Sequence, residues 1–347
     1  MTKVKVSAPA KVHLIGEHAV VYGHPAIIAA VGRRIYLEAE KSDKVVYKDV
    51  RWNRHFEWSV AEVMKTAEFA QQLWKQCQEK GNYSEIASWA KDNGNYTNFH
   101  KAVFGIVLKM TGADSGINVN VTKCEIPAGS GIGYSSSYAV ALAKAAGEVY
   151  NKNLSLEEVN NIAFECEKLA HGMPSGGDNT ACCYGGLVWF QKAQPKNIVI
   201  PLKNEIPHKL EGFVLAYTKQ PEKSTAELVQ MVREIPESEK NPKMEELGKM
   251  TYEMKDVLKR KDYTRMKEIM NKTNHILSSF GLAIPETHAI AEEIMGLGGA
   301  AKMCGACYGG VMLCWHENPE LVVDAIKRLE FEPLQVDLAV EGVRLEK

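Results

Sequence analysis

The chain has 347 residues, 45% of them hydrophobic and 24% charged, with a net charge of −1. That length supports two ordinary domains or one large one with a sizeable core, and the neutral balance excludes the basic footprint of a nucleic-acid binder or of a protein drawn to anionic membranes. No run of 18 apolar residues occurs and MTKVKVSAPAKV has no apolar leader segment, so the expectation is a cytoplasmic protein without a membrane span.

Alternation over Lys3–Ser7, a short apolar run at Val12–Ile15 and period two through Ile35, Leu37 and Ala39 predict a strand-rich beginning. Residues 56–93 carry a helical pattern (Val60, Val63, Met64, Phe69, Leu73, Trp74) that reads as a mobile or lid-like insertion. Ile117, Val119 and Val121 predict a strand that runs into the glycine-rich stretch PAGSGIGYSSS, followed by a helix over about 136–150. Ser155 and Glu158 form a capping box for the next helix, which Gly172 should end. PSGGDNT reads as a turn and Gly186–Phe190 as a strand. Further on, Phe213–Tyr217, Val311–Trp315 and Leu334–Val340 read as strands, with helices over 242–260, 263–280, 286–296 and from Asn318-Pro319 to Leu329. Runs of strands and runs of helices, without regular βαβ alternation, predict an α+β protein of two lobes divided near 195–205. The eight cysteines, Cys304-Gly-Ala-Cys307 among them, read as reduced thiols filling the core, because no second spaced pair completes a zinc site.

Four stretches could carry chemistry. In PAGSGIGYSSS, glycines and a helix start could converge N–H groups on an anion, or simply make a strand–helix turn with a serine cap. No Walker lysine follows. In KVHLIGEH, Lys11 leaves a Ser7–Ala10 turn at the start of a short strand and Glu17 and His18 leave its end; on the sequence alone these read as a surface lysine and a loop pair. In EKLAHGMPSGGDN, Glu167 lies at the edge of an apolar helix stripe and needs a cation or donors, while Asp178 follows two glycines that let backbone approach a ligand. A metal ligand and a proton acceptor fit these two, and so do a helix-edge Glu and a turn Asp. KMCGACYGG (302–310) is a second glycine-rich turn.

The order of PAKVHLIGEHAVVYGHPAI (9–27), PAGSGIGYSSS (127–137), EKLAHGMPSGGDN (167–179) and KMCGACYGG resembles the GHMP kinase superfamily over nearly the whole chain, and residues 9–27 are most similar to its mevalonate kinase branch. The resemblance implies a ribosomal-protein-S5-like amino-terminal lobe (1–198) and a ferredoxin-like carboxy-terminal lobe (199–347), with ATP and an acceptor meeting in the cleft. It implies ATP-phosphate binding by Pro127, Gly129, Ser130, Gly131, Gly133, Tyr134, Ser135 and Ser136, and Mg²⁺ binding by Ser135 and Glu167. Asp178 and Lys11 match the catalytic pair; Glu17, His18 and Thr225, with Lys11 and Asp178, match the acceptor side. The implied reaction is phosphorylation of the 5-hydroxyl of mevalonate, with a sugar, phosphomevalonate or another hydroxy acid as alternative acceptors and a non-catalytic metabolite-binding relative as a further alternative. A homodimer is an open expectation. Two departures stand out: Tyr134 occupies the family's first loop serine, and Cys307 and Tyr308 occupy glycine positions, so both tyrosines are expected to reshape the cleft.

Overall fold

The computed structural model describes residues 3–127, 130–223 and 225–347. Strand β1 (Val4–Ile15) is continuous and pairs antiparallel with the long β2 (Pro25–Ser42). The predicted turn at Ser7–Ala10 is absent. Pro9 is absorbed by a register shift between Pro9 and Ala10, where a missing N–H costs the ladder little. A hairpin that the sequence pattern did not reveal follows, β3 (Val45–Asp49) and β4 (Arg54–Trp58). Its ring-rich face, with Tyr47, Phe56 and Trp58 in contact, explains its stability better than any alternation does.

Helices α1 (Val60–Lys80), α2 (Ser84–Lys91) and α3 (Thr97–Thr111) come next. The expected lid is a packed layer. Val63, Ala67, Ala70, Leu73 and Cys77 of α1 are buried, and the Trp74 indole donates to the Gly172 carbonyl. Strand β5 (Gly116–Cys124) leads to α4 (Tyr134–Val149), and α5 (Leu156–His171) starts on the predicted Ser155–Glu158 capping box and ends at Gly172. The segment predicted as a turn contains a short helix, α6 (Gly177–Tyr184), so Asp178 lies in a first helical turn. Strands β6 (Leu187–Gln191) and β7 (Ile198–Pro201) close this part.

The rest comprises β8 (Leu210–Tyr217), α7 (Thr225–Glu234), α8 (Glu237–Arg260), α9 (Tyr263–Ser279), α10 (Pro285–Gly296), β9 (Ala300–Met303), β10 (Val311–Trp315), α11 (Pro319–Arg328), β11 (Glu332–Leu338) and β12 (Arg344–Leu345). One sheet runs through both lobes in the order β4-β3-β5-β2-β11-β8-β10-β9, with β1 and β6 also on β2. Its pairings are antiparallel except β3–β5. Strand β7 pairs with β6, and the chain end returns to the first lobe, where β12 pairs with β1. No described helix is long and apolar enough to cross a membrane.

Candidate active site

Lys11 and His13 are two apart on β1 and therefore project from the same face. They meet Asp178 at the start of α6. Lys11 Nζ lies 2.8 Å from Asp178 Oδ2, and His13 Nε2 lies 3.6 Å from Oδ1. Two glycines permit this approach. A Cβ on Gly177 would come within 2.5 Å of Ile28 Cδ1, so a larger residue would have to push that side chain aside. A Cβ on Gly133, whose φ is +85°, would stand 2.7 Å from Lys11 Cγ, so the glycine-rich loop closes directly over the lysine stem. The same loop is tied to β1 by the Lys11 N–H, which donates to the Ile132 carbonyl at 2.9 Å.

Burial alone would push the Asp178 carboxyl up, but the Lys11 ammonium, helped by His13, outweighs it and holds the carboxyl far below its ordinary range. Burial correspondingly opposes the charge on Lys11, and Asp178 overcomes that opposition and raises it. The pair is thus an ionised couple at neutral pH.

Helix α4 begins at Gly133 with no side chain capping its free N–H groups. The three serines behind it have other partners. Ser137 Oγ donates to Pro9 O at 2.7 Å, Ser136 Oγ donates to Glu167 Oε2 at 2.6 Å, and Ser135 Oγ lies 3.2 Å from His171 Nε2. The helix end is therefore open to an anion. Glu167 is 2% exposed, and its Oε1 is buried with no hydrogen-bond partner. Burial raises its carboxyl, partly offset by His171, 3.4 Å away, and by Ser136. A buried carboxylate oxygen without a donor, next to a serine hydroxyl, fits a hard divalent cation that takes few protein ligands and completes its shell with phosphate and water. Among the described residues no group of three or more His, Cys, Asp or Glu side chains could hold a metal, so phosphate and water oxygens would complete that shell.

Two hollows flank the start of α4. One of about 400 Å³ is lined by Lys11, His13, His18, Asp178, Thr225 and the 304–310 turn, with Ser130 and Gly131 on its rim. The other, about 520 Å³, lies between the loop and the α2–α3 region and is lined by Arg51, Trp52, Arg54, Tyr96, Tyr134 and Ser135. Both are of ligand size. Ser135 lines the second and its partner His171 the first, so the start of α4 lies between them.

The expected site residues fall in different places. Lys11, Asp178, Ser130, Gly131 and Thr225 line the first hollow, Tyr134 and Ser135 the second, and Ser136 and Glu167 lie buried between α4 and α5. Pro127 stands at the loop start, accepting from Ser130 Oγ at 2.7 Å; Gly129 lies outside the described residues. Glu17, expected on the acceptor side, has its carboxylate wholly buried in an ion pair with Lys302, which also donates to the His13 carbonyl at 3.2 Å. Its side chain braces the cleft wall. His18, held at φ 57° with Nε2 3.1 Å from Ala306 O, is likewise turned to the 304–310 turn. Burial lowers its ring below the ordinary histidine range. Sequence reasoning missed His13, His171, Lys302 and Arg51. His13 was recoverable in principle, since it shares a strand face with Lys11.

Comparison with known proteins places the chain in a family. Residues 98–186 match the family described as GHMP kinases N terminal domain. The mevalonate kinase of Pyrococcus furiosus is 30% identical over 357 aligned positions, covering 99% of each chain. The crystal structure of Methanococcus jannaschii mevalonate kinase superposes with a TM-score of 0.81 at 22% identity, over 98% of this chain and 99% of that one. The L. major mevalonate kinase in complex with R-mevalonate superposes at 0.73 and 22%, over 99% and 97%. With a full-length relative at that identity and a matching two-lobed α+β fold, the chain belongs to the GHMP kinase family and stands with its mevalonate kinases.

Proposed function

We propose that this protein transfers the γ-phosphoryl group of ATP to the 5-hydroxyl of mevalonate. The observation that carries the reading is the Lys11–Asp178 pair facing a cleft beside an uncapped helix end and a partnerless Glu167 oxygen. The full-length likeness to mevalonate kinases supports the choice of acceptor. In this reading the first lobe, about residues 1–198, carries the nucleotide, and the second, about 199–347, completes the acceptor side with Thr225. Pro127, Gly129, Ser130, Gly131, Gly133, Tyr134, Ser135 and Ser136 form the phosphate loop. Arg51 and Arg54 lie in the hollow assigned to the nucleoside end. His18 lines the acceptor side, and Glu17 braces it through its ion pair with Lys302.

Phosphoryl transfer is mainly positioning and charge stabilisation. The N–H groups at the start of α4 would receive phosphate oxygens in place of a Walker lysine. Ser135 and Glu167 would hold the divalent ion, Mg²⁺ in this reading, which neutralises phosphate charge when bound. Asp178 is too acidic to remove a proton from a resting alcohol. It accepts that proton only as bond formation to phosphorus makes the hydroxyl acidic, which suits a loose transition state. Lys11 keeps Asp178 ionised and stabilises the developing negative charge on the attacking oxygen. The reading places the enzyme in the cytoplasm and takes a homodimer as its assembly.

The test is ADP release with Mg²⁺-ATP and a panel of R-mevalonate, phosphomevalonate and sugars. The expected result is turnover with mevalonate and a kcat/KM that exceeds the others by about 100-fold or more. No turnover by well-folded protein would overturn the assignment, and preference for another acceptor would replace it.

A further inference from the structure

Strand β1 carries a polar residue at the cleft that the reaction scheme has not used. His13 stands among Val12, Leu14 and Ile15, all buried. Its ring lines the cleft with Nε2 3.6 Å from Asp178 Oδ1, and its Nδ1 is buried with no hydrogen-bond partner. An orphaned buried ring nitrogen is costly, and a leucine or isoleucine would fill the space without that cost. The histidine is also firmly mounted. Its carbonyl accepts from Lys302, and the β1–β2 register shifts between His13 and Ile15, the kind of irregularity that re-aims a side chain beside a site.

We propose that His13 is a positioning residue for the phosphoryl transfer: it holds the Oδ1 side of Asp178 while Lys11 holds Oδ2, and so fixes the plane of the carboxylate that meets the acceptor hydroxyl. Lys11 alone grips one oxygen and leaves the carboxylate free to turn about its own bond until both oxygens share the ammonium. The imidazole Nε2 standing 3.6 Å from the other oxygen, a close polar contact rather than a full hydrogen bond, opposes that rotation. One lone pair of Asp178 then stays directed into the cleft, where a misplacement near 1 Å is enough to cost about 100-fold in rate. The inference rests on reading Lys11–Asp178 as the reacting pair.

Two near-isosteric variants test it. In His13→Gln the amide nitrogen falls near the position of Nε2 and keeps the contact with Asp178. In His13→Asn it falls near Nδ1 and loses that contact. The expected result is kcat within about threefold of the parent for Gln and about 10- to 100-fold lower for Asn, with KM for ATP unchanged in both. In an Asp178→Asn background, His13→Asn should cause no further loss, because His13 acts only through that carboxylate. Equal effects of Gln and Asn, an Asn variant as active as the parent, or loss of folding in both would overturn the proposal and leave His13 a packing residue. So would the same fold loss in the Asp178→Asn background. If Asp178→Asn by itself keeps full activity, the reading of the reacting pair fails instead, and that outcome is separable because it needs no change at His13.

Discussion

The buried pair between Glu17 and Lys302 makes a sharp stability prediction. Both side chains have no solvent exposure, and the second Glu17 oxygen has no partner. Replacing Lys302 with methionine keeps the length of the stem and removes the charge, which strands a carboxylate in the core. Breaking a desolvated pair from one side costs about 3–5 kcal/mol, whereas removing both charges is near neutral. Lys302→Met should therefore lower unfolding free energy by about 4 kcal/mol, and Glu17→Leu with Lys302→Met should recover most of it. In urea, with m near 3 kcal/mol/M, the single variant's midpoint falls by about 1.3 M. Burial lowers the Lys302 ammonium, but Cys304 and Glu17 raise it further, and the net shift is upward. A raised lysine gives stability that is complete below its unfolded value and is lost only as pH rises through the folded one, so the parent's lysine contribution should be constant up to about pH 9. A loss below about 1 kcal/mol, as for a solvated surface pair, would refute the reasoning. So would a double variant no better than the single one.

Asp178→Asn should reduce kcat by about 10³ while the protein still folds, read by ADP release and circular dichroism. Because the folded Asp178 carboxyl is depressed, its stabilising contribution is present above its unfolded value and lost as pH falls through the folded one; the Asn variant should thus lose stability at neutral pH and match the parent in strong acid, read by unfolding at both pH values. Glu167→Gln should raise the KM for metal–ATP by about 10- to 100-fold with little change in the acceptor KM, measured by metal titration at fixed ATP. Burial raises the Glu167 carboxyl, so protons compete with the metal and the parent's apparent metal affinity should weaken as pH falls. Tyr134→Ser should change KM for ATP more than for the acceptor, because the ring lines the hollow beyond the loop; the reverse shift in steady-state kinetics would put the ring on the acceptor side.

The helices were legible where local chemistry decides them. Ser155 with Glu158, and Asn318 before Pro319, are self-contained start signals and mark helix starts in the structure. The hairpin Val45–Trp58 was not legible because aromatic contacts across strands hold it. The α6 helix was hidden because Gly176 and Gly177 disfavour a helix locally; the left-handed φ of +87° at Gly176 and the packing of Gly177 against Ile28 explain their presence. The site divided the same way. Lys11, Glu167 and Asp178 were found from motif order. The orientation of Glu17 toward Lys302, 285 residues away, was beyond any local reading. No spacing rule reports a partner that arrives from the other lobe.

The two tyrosines that depart from the family pattern were expected to act alike, by crowding the cleft, and the structure separates them. Tyr134 stacks on Tyr138 with ring centroids 6.2 Å apart and lies under the Arg51 guanidinium at 4.7 Å, which Asp49 holds from behind. Burial pushes its phenol up to about 12, so it lines the hollow beyond the loop as a neutral ring. Tyr308 follows Cys307, and their φ angles are 61° and 68°, left-handed values that favour glycine. The 304–310 turn therefore keeps a glycine-shaped backbone in spite of its side chains. Tyr308 N–H donates to the Leu282 carbonyl, its ring lies 4.9 Å from Lys223 Nζ, and it is not among the residues lining the cleft. Two adjacent L residues in that region cost roughly 1–2 kcal/mol each, a strain that persists only where surrounding contacts hold it. The cleft face of this turn is thus set by backbone and by Cys304, Gly305, Ala306 and Cys307, and it is His18 and Thr225, not the tyrosine the sequence made conspicuous, that line the same hollow.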